Sequence, residues 1–120
     1  MGKRKNSIFA VDFDGTLCEN DWPNIGSPNV TLIRILIAMR EKGDKIILWT
    51  CRCGDNLTEA IEWCRSHGLE FDAVNDNLPE CVAEFGDNSR KIFADVYIDD
   101  KSIRPDLKFG DFTRNEQTPL

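Results

Sequence analysis

The chain is short of histidine and of paired cysteine motifs: His67 is its only histidine, and none of its five cysteines forms a C-x-x-C pair. That removes the ligand spacing of a structural zinc site, which the lone Cys51–Cys53 pair does not supply. His67 stands near an expected helix end, where a capping role is the plainer reading. An odd number of cysteines without a secretory context argues against a disulfide framework and reads as reduced thiols in a cytoplasm. Long apolar runs are missing too. No segment approaches membrane-spanning length, and the run after the basic N-terminus is broken by Asp12, too early for a signal-peptide core. Gly2 is followed by Asn6 where a myristoylation motif needs a hydroxyl, and Ser7 comes one place late. Positive charge is the minority sign, with 15 Lys and Arg against 21 Asp and Glu, a net charge of −6 and a pI near 4.7. This disfavours general affinity for nucleic acid, whose phosphates reward clustered Lys and Arg. The one basic run, Lys3-Arg4-Lys5, reads as part of a solvated N-terminal arm over residues 1–6.

What is present is ordinary globular composition, 41% hydrophobic and 30% charged in 120 residues. Repeats, low-complexity tracts and linkers are absent, so one domain with a single core is expected over 1–120. "IFAV" at Ile8–Val11 reads as a short buried strand that runs out at Asp12, with a turn at Asp14-Gly15. A loop, "CENDWPNIGSPN", follows. Ser27 and Pro28 predict a helix start, with Leu32, Ile33, Leu36, Ile37 and Met39 at helical spacing before Gly43. "KIILWT" reads as a second strand. A second helix, capped by Asp55 or Asn56, carries Leu57, Ile61 and Cys64 on one face and stops at Gly68. "FDAVN" and "ADVYIDD" read as third and fourth strands, and the polar tail over residues 105–120 is left without an element. The alternation predicts an α/β fold, a doubly wound parallel sheet. Its strand ends then gather Asp12 with Asp14, Thr50, and Asp99 with Asp100 on one edge, where open parallel sheets bind ligands.

Each of these signals alone has a plain structural explanation. Asp and Gly suit turns, Thr suits strands, Lys91 suits a surface, and an Asp pair suits a helix cap. Together and in this order they resemble the haloacid dehalogenase-like superfamily of phosphohydrolases. Its D-x-D-G-T stands here as "DFDGT", its strand-ending Ser or Thr as Thr50 in "ILWTCR", its Lys as Lys91 in "SRKI", and its acid pair as Asp99-Asp100 in "YIDD". The resemblance runs from about Ile8 to Asp100.

The resemblance implies a Mg²⁺-dependent phosphatase with Asp12 as the nucleophile, forming an aspartyl-phosphate. It implies metal ligands at Asp12, the Asp14 carbonyl, Asp99 and Asp100. Lys91 supplies a fixed cation, Thr50 and nearby backbone N–H groups hold the phosphoryl oxygens, and Asp14 is general acid and then base. Gly15 lets the backbone turn tightly beside the phosphate. An acid two residues after the nucleophile also favours phosphate esters over carbon–halogen substrates, because a halide needs no proton to leave.

The loops at 18–27 and roughly 75–90 are too short for a folded cap, so a capless or minimally capped member is expected. Trp22, in a loop resembling the family's flap, either leans over the site or packs beside Pro23. Arg52 either clamps a second anionic group or is a surface residue. Without a cap, closure falls to the substrate, the Trp22 loop or a second subunit, with Phe109 and Phe112 of the tail as a candidate contact. A signalling receiver domain has similar ingredients, but its acid pair comes on the first strand, whereas here it comes last. A non-catalytic Mg²⁺- or partner-binding relative and a nucleic-acid end phosphatase are the remaining alternatives. The expected partner is a phosphorylated substrate, small or large, with no membrane and with nucleic acid disfavoured.

Overall fold

The structure, a computed structural model of the chain, describes residues 6–102. The basic arm at Lys3–Lys5 and the tail with Phe109 and Phe112 lie outside the described residues. Strands β1 (Ile8–Val11), β4 (Lys45–Leu48), β5 (Ala73–Val74) and β6 (Val96–Ile98) form one sheet in the order β5-β4-β1-β6. Every pairing in it is parallel. A separate antiparallel hairpin, β2 (Cys18–Asp21) and β3 (Asn24–Pro28), lies between β1 and helix α1 (Val30–Glu41). Helices α2 (Gly54–Ser66) and α3 (Pro79–Phe85) complete the layers.

Side-chain alternation along the strands explains the layering. Val11, Ile46 and Leu48 face one way and bury Ile33 and Leu36 of α1 with Ala60 and Cys64 of α2. Ala10 and Ile47 face the other way and join Leu78, Cys81 and Ile92 beside α3. Helices thus cover both faces, as the doubly wound reading expects, and among the described residues no large cap is present. The chain steps outward from β1 to β4 to β5, then crosses back to place β6 on the far side of β1. The order reverses between β1 and β6, the position where open α/β sheets form a ligand crevice.

Several local expectations are corrected. The predicted loop after β1 is a hairpin, and Pro28 pairs with Cys18 as its last strand residue rather than opening α1. Asn29 caps that helix instead, its Oδ1 accepting the Leu32 N–H at 3.2 Å. Helix α2 starts at Gly54 after Cys53, so neither Asp55 nor Asn56 is the cap. The loop expected near 75–90 contains α3, which opens with Pro79 at its first turn and ends at Gly86 in the left-handed conformation. The third and fourth strands are shorter than predicted, with two and three residues. His67 is the C-cap residue of α2, where its ring packs 4.4 Å from that of Trp63.

Candidate active site

Strand β1 delivers Asp12 to the sheet's carboxyl edge, where its backbone N–H still bonds the Ile98 carbonyl of β6 at 3.0 Å. The chain then makes one tight turn, in which the Thr16 and Leu17 N–H groups both donate to the Phe13 carbonyl. Gly15 sits in that turn with φ of +86°, and a Cβ there would collide with the Asp100 carboxylate. The left-handed backbone favours glycine here, and the missing side chain lets the Asp100 carboxylate approach from β6 without being displaced. Carboxylate oxygens of Asp12, Asp99 and Asp100 lie within 4.8 Å of one another. Thr16 Oγ1 donates to Asp12 Oδ2 at 3.4 Å.

The crowding of acids has an electrostatic cost. Burial, reinforced by the charges of Asp99 and Asp100, raises the Asp12 carboxyl from the usual carboxylate value to about 6, against a backbone hydrogen bond from Phe13 that lowers it. Burial would raise Asp100 too, but hydrogen bonds from Lys101 and Asp99 and the Lys101 charge bring it below its ordinary value. Lys101 Nζ stands 3.2 Å from Asp100 Oδ2, and its backbone N–H donates to Asp99 Oδ1 at 2.9 Å.

Beyond β4, the Thr50 N–H donates to Asn75 Oδ1 at 2.8 Å, and Thr50 Oγ1 accepts the Arg52 N–H at 3.1 Å. The Thr50 hydroxyl proton thus remains available for a ligand, whereas its backbone N–H does not. Asn75 makes this contact from a left-handed backbone, φ 53°, at the end of β5.

Arg52 is the chief departure from expectation. It is 1% exposed, not a surface residue. Its guanidinium makes a bidentate pair with Asp14, Nε to Oδ2 at 2.9 Å and an Nη to Oδ1 at 2.8 Å. It also donates to the carbonyls of Asn24, at 3.0 Å, and Asn56, at 3.4 Å. Its partner anion is thus the protein's own Asp14, and the Asp14 hydrogen bonds hold the guanidinium in the charged state more firmly than usual. The guanidinium carbon lies 5.0 Å from the Phe13 ring centre and 4.9 Å from that of Trp22.

A cavity of about 400 Å³ joins these groups, lined among others by Asp12, Asp14, Trp22, Thr50, Arg52 and Asp99. Lys91 does not line it. Strand β6 runs parallel to β1, and Asp95 N–H bonds the Ile8 carbonyl at the strands' amino ends, so the residues before β6 approach from the opposite edge. Lys91 Nζ rests 5.8 Å from the Tyr97 ring and faces a second cavity with Phe85 and Phe93. The cation beside the acids is Lys101, which the sequence reading passed over although it directly follows the acid pair. Trp22 and Asn20 are also on the cavity wall, brought there by the β2–β3 hairpin where the sequence pattern predicts a loop.

Three convergent carboxylates fit a hard divalent cation, which prefers oxygen donors and tolerates retained waters. Among the described residues this is the one cluster of His, Cys, Asp and Glu side chains with metal-ligand proximity. The five cysteines are free thiols, with Cys18, Cys64 and Cys81 buried and Cys51 and Cys53 exposed.

Comparison with known proteins bears on ancestry. A solved structure of a conserved protein coded by a locus from Bacteroides thetaiotaomicron is 42% identical, with a TM-score of 0.74, over 82% of this chain and 79% of that one. The chain belongs to that protein's family. No family model and no curated protein matches it.

Proposed function

We propose that the protein is a Mg²⁺-dependent phosphohydrolase that acts on phosphate monoesters through an aspartyl-phosphate on Asp12. The observation that carries this reading is the convergence of Asp12, Asp14, Thr50 and Asp99 on one cavity at the carboxyl edge of a parallel sheet. Asp12, Asp99 and Asp100 would hold the ion, whose charge offsets the repulsion between a carboxylate nucleophile and an anionic substrate.

An Asp12 oxygen attacks phosphorus, forming an O–P bond as the ester P–O bond breaks. Asp14, an anion in its pair with Arg52, takes up a proton from water before the attack and passes it to the departing alkoxide. In the second step Asp14 removes a proton from water, whose oxygen displaces Asp12 and releases phosphate. Arg52 occupies one acceptor direction on each Asp14 oxygen, which orients the carboxylate and leaves its remaining lone pairs for this exchange. The Thr50 hydroxyl donates to a phosphoryl oxygen, and Lys101 replaces Lys91 as the nearby positive charge. A cytoplasmic setting is part of the same proposal. Among the described residues no helix is long and apolar enough to cross a membrane.

The placement of Lys91 favours one second reading, a relative that binds the cation without turnover. Release of phosphate from an aryl phosphate in Mg²⁺, abolished by excess EDTA, separates the two. Release that survives the chelator contradicts the metal assignment. Metal binding without any release supports the second reading.

A further inference from the structure

We propose that Trp22 is an aromatic platform for the leaving group, so that the preferred substrates are phosphate monoesters bearing a flat aromatic ring, nucleoside monophosphates among them. This rests on the phosphohydrolase reading of the same cavity and narrows its substrate class. Trp22 is 55% exposed, yet it lines the cavity that holds Asp12 and Thr50. An indole left in water beside a reactive carboxylate has no packing role in the core. It is nonetheless held in place. The two-residue turn at Trp22-Pro23 joins β2 to β3, and the Trp22 N–H donates to Asn20 Oδ1 at 3.2 Å. One side of the ring rests on the Arg52 guanidinium, itself backed by Phe13. The same guanidinium reaches the hairpin backbone at Asn24 and the side chain of Asp14. The platform and the proton-transfer acid are therefore fastened to one buried cation. A ligand ring on Trp22 places its phosphate in the cavity that Asp12 lines, and the cation behind the indole fixes the platform before the ligand arrives. A volume of about 400 Å³ accommodates a phosphate and a ring, within the range of small-molecule sites.

The test compares benzyl phosphate with cyclohexylmethyl phosphate, whose alcohols are similar in size and acidity but differ in the ring's π-face. In parallel, intrinsic tryptophan fluorescence is titrated with a purine nucleoside monophosphate and with ribose 5-phosphate. The expected result is a kcat/KM ratio favouring the benzyl ester by roughly 5- to 100-fold, the size of one stacking contact. The ratio should fall to about one in Trp22→Ala and be largely retained in Trp22→Phe, with the difference expressed mainly in KM. Quenching by the nucleotide and not by the sugar phosphate, lost in Trp22→Phe, supports the platform even if neither ester is hydrolysed; only the phosphohydrolase reading then falls. Turnover of both esters at equal efficiency in the wild-type protein overturns the platform and leaves the phosphohydrolase standing. Absence of both turnover and nucleotide-specific quenching overturns both.

Discussion

At the scale of single residues, Arg52 and Gly15 are as consequential as the acids they serve. Arg52 is buried and paired with a partly buried Asp14, and removal of one partner from such a pair leaves an uncompensated charge. Arg52→Ala should therefore cost roughly 3 kcal/mol, the low end for a buried pair because Asp14 keeps some solvent contact. Denaturant midpoints of Arg52→Ala, Asp14→Asn and the double variant measure this. The account expects the double variant to be less destabilised than the sum, and strict additivity would deny the coupling. Arg52→Lys retains charge without the planar fork and should lose most activity. Gly15→Ala faces both a left-handed backbone and the Asp100 carboxylate. It should lose more than about 1 kcal/mol of stability and weaken Mg²⁺ binding, readable by isothermal titration. Unchanged metal affinity would mean that Asp100 does not hold the ion. The cysteines divide by burial. Cys18 lies in the core with its Sγ 3.9 Å from the Phe13 carbonyl, so Cys18→Ser tests packing, whereas Cys51, which lines the cavity, tests the site as Cys51→Ser.

At the scale of elements, the sheet edge was legible and the connections were not. Val11, Ile46, Ile47 and Leu48 are fully buried, and such runs announce themselves as strands because helices cover both faces. Asp12 directly follows β1, Asp99 and Asp100 directly follow β6, and Thr50 stands two residues past β4, so the strand pattern alone puts them at strand ends. The hairpin escaped notice because "CENDWPNIGSP" has no alternating apolar pattern: of β2, only Cys18 is buried. It is held by position instead, since Gly26 lies so close to the Glu19 carbonyl that a Cβ would clash. Helix α3 has seven residues and one buried side chain, Cys81, too few turns to show a period. Lys91 was aligned by motif order, which says nothing of which edge a residue preceding a strand approaches. The burial of Arg52 had no local signal, because its partners Asp14 and Asn24 are 38 and 28 positions away. Asn75 shows the same reach, with β5 steadying the loop after β4. Asn75→Gly keeps the left-handed backbone but drops the bond to Thr50, and should raise KM while stability changes little. An unchanged KM would detach β5 from the site.

At the scale of the whole molecule, the acids that define the site oppose the fold that carries them. Asp12 binds its proton more tightly folded than unfolded, with a folded value of about 6. For a carboxyl shifted upward, the metal-free protein is most stable below the unfolded value and loses stability as pH rises from about 4 through about 6. If Asp12 is a metal ligand as proposed, Mg²⁺ would compete for the same oxygens, so its stabilising effect should be small near about pH 5 and large above about pH 7. Thermal melts with and without Mg²⁺ across that range check the sign, and a larger metal effect at acid pH would contradict the assignment of Asp12 as ligand. The most direct measurement is mass-spectrometric localisation of a phosphoryl group in Asp14→Asn protein quenched after incubation with Mg²⁺ and an aryl phosphate. With breakdown slowed by roughly 10²- to 10⁴-fold, the account predicts one added phosphoryl group on Asp12, absent when Mg²⁺ is chelated and absent in Asp12→Asn. Phosphate released with no acyl-phosphate on Asp12, or a phosphoryl group on any other residue, would contradict it.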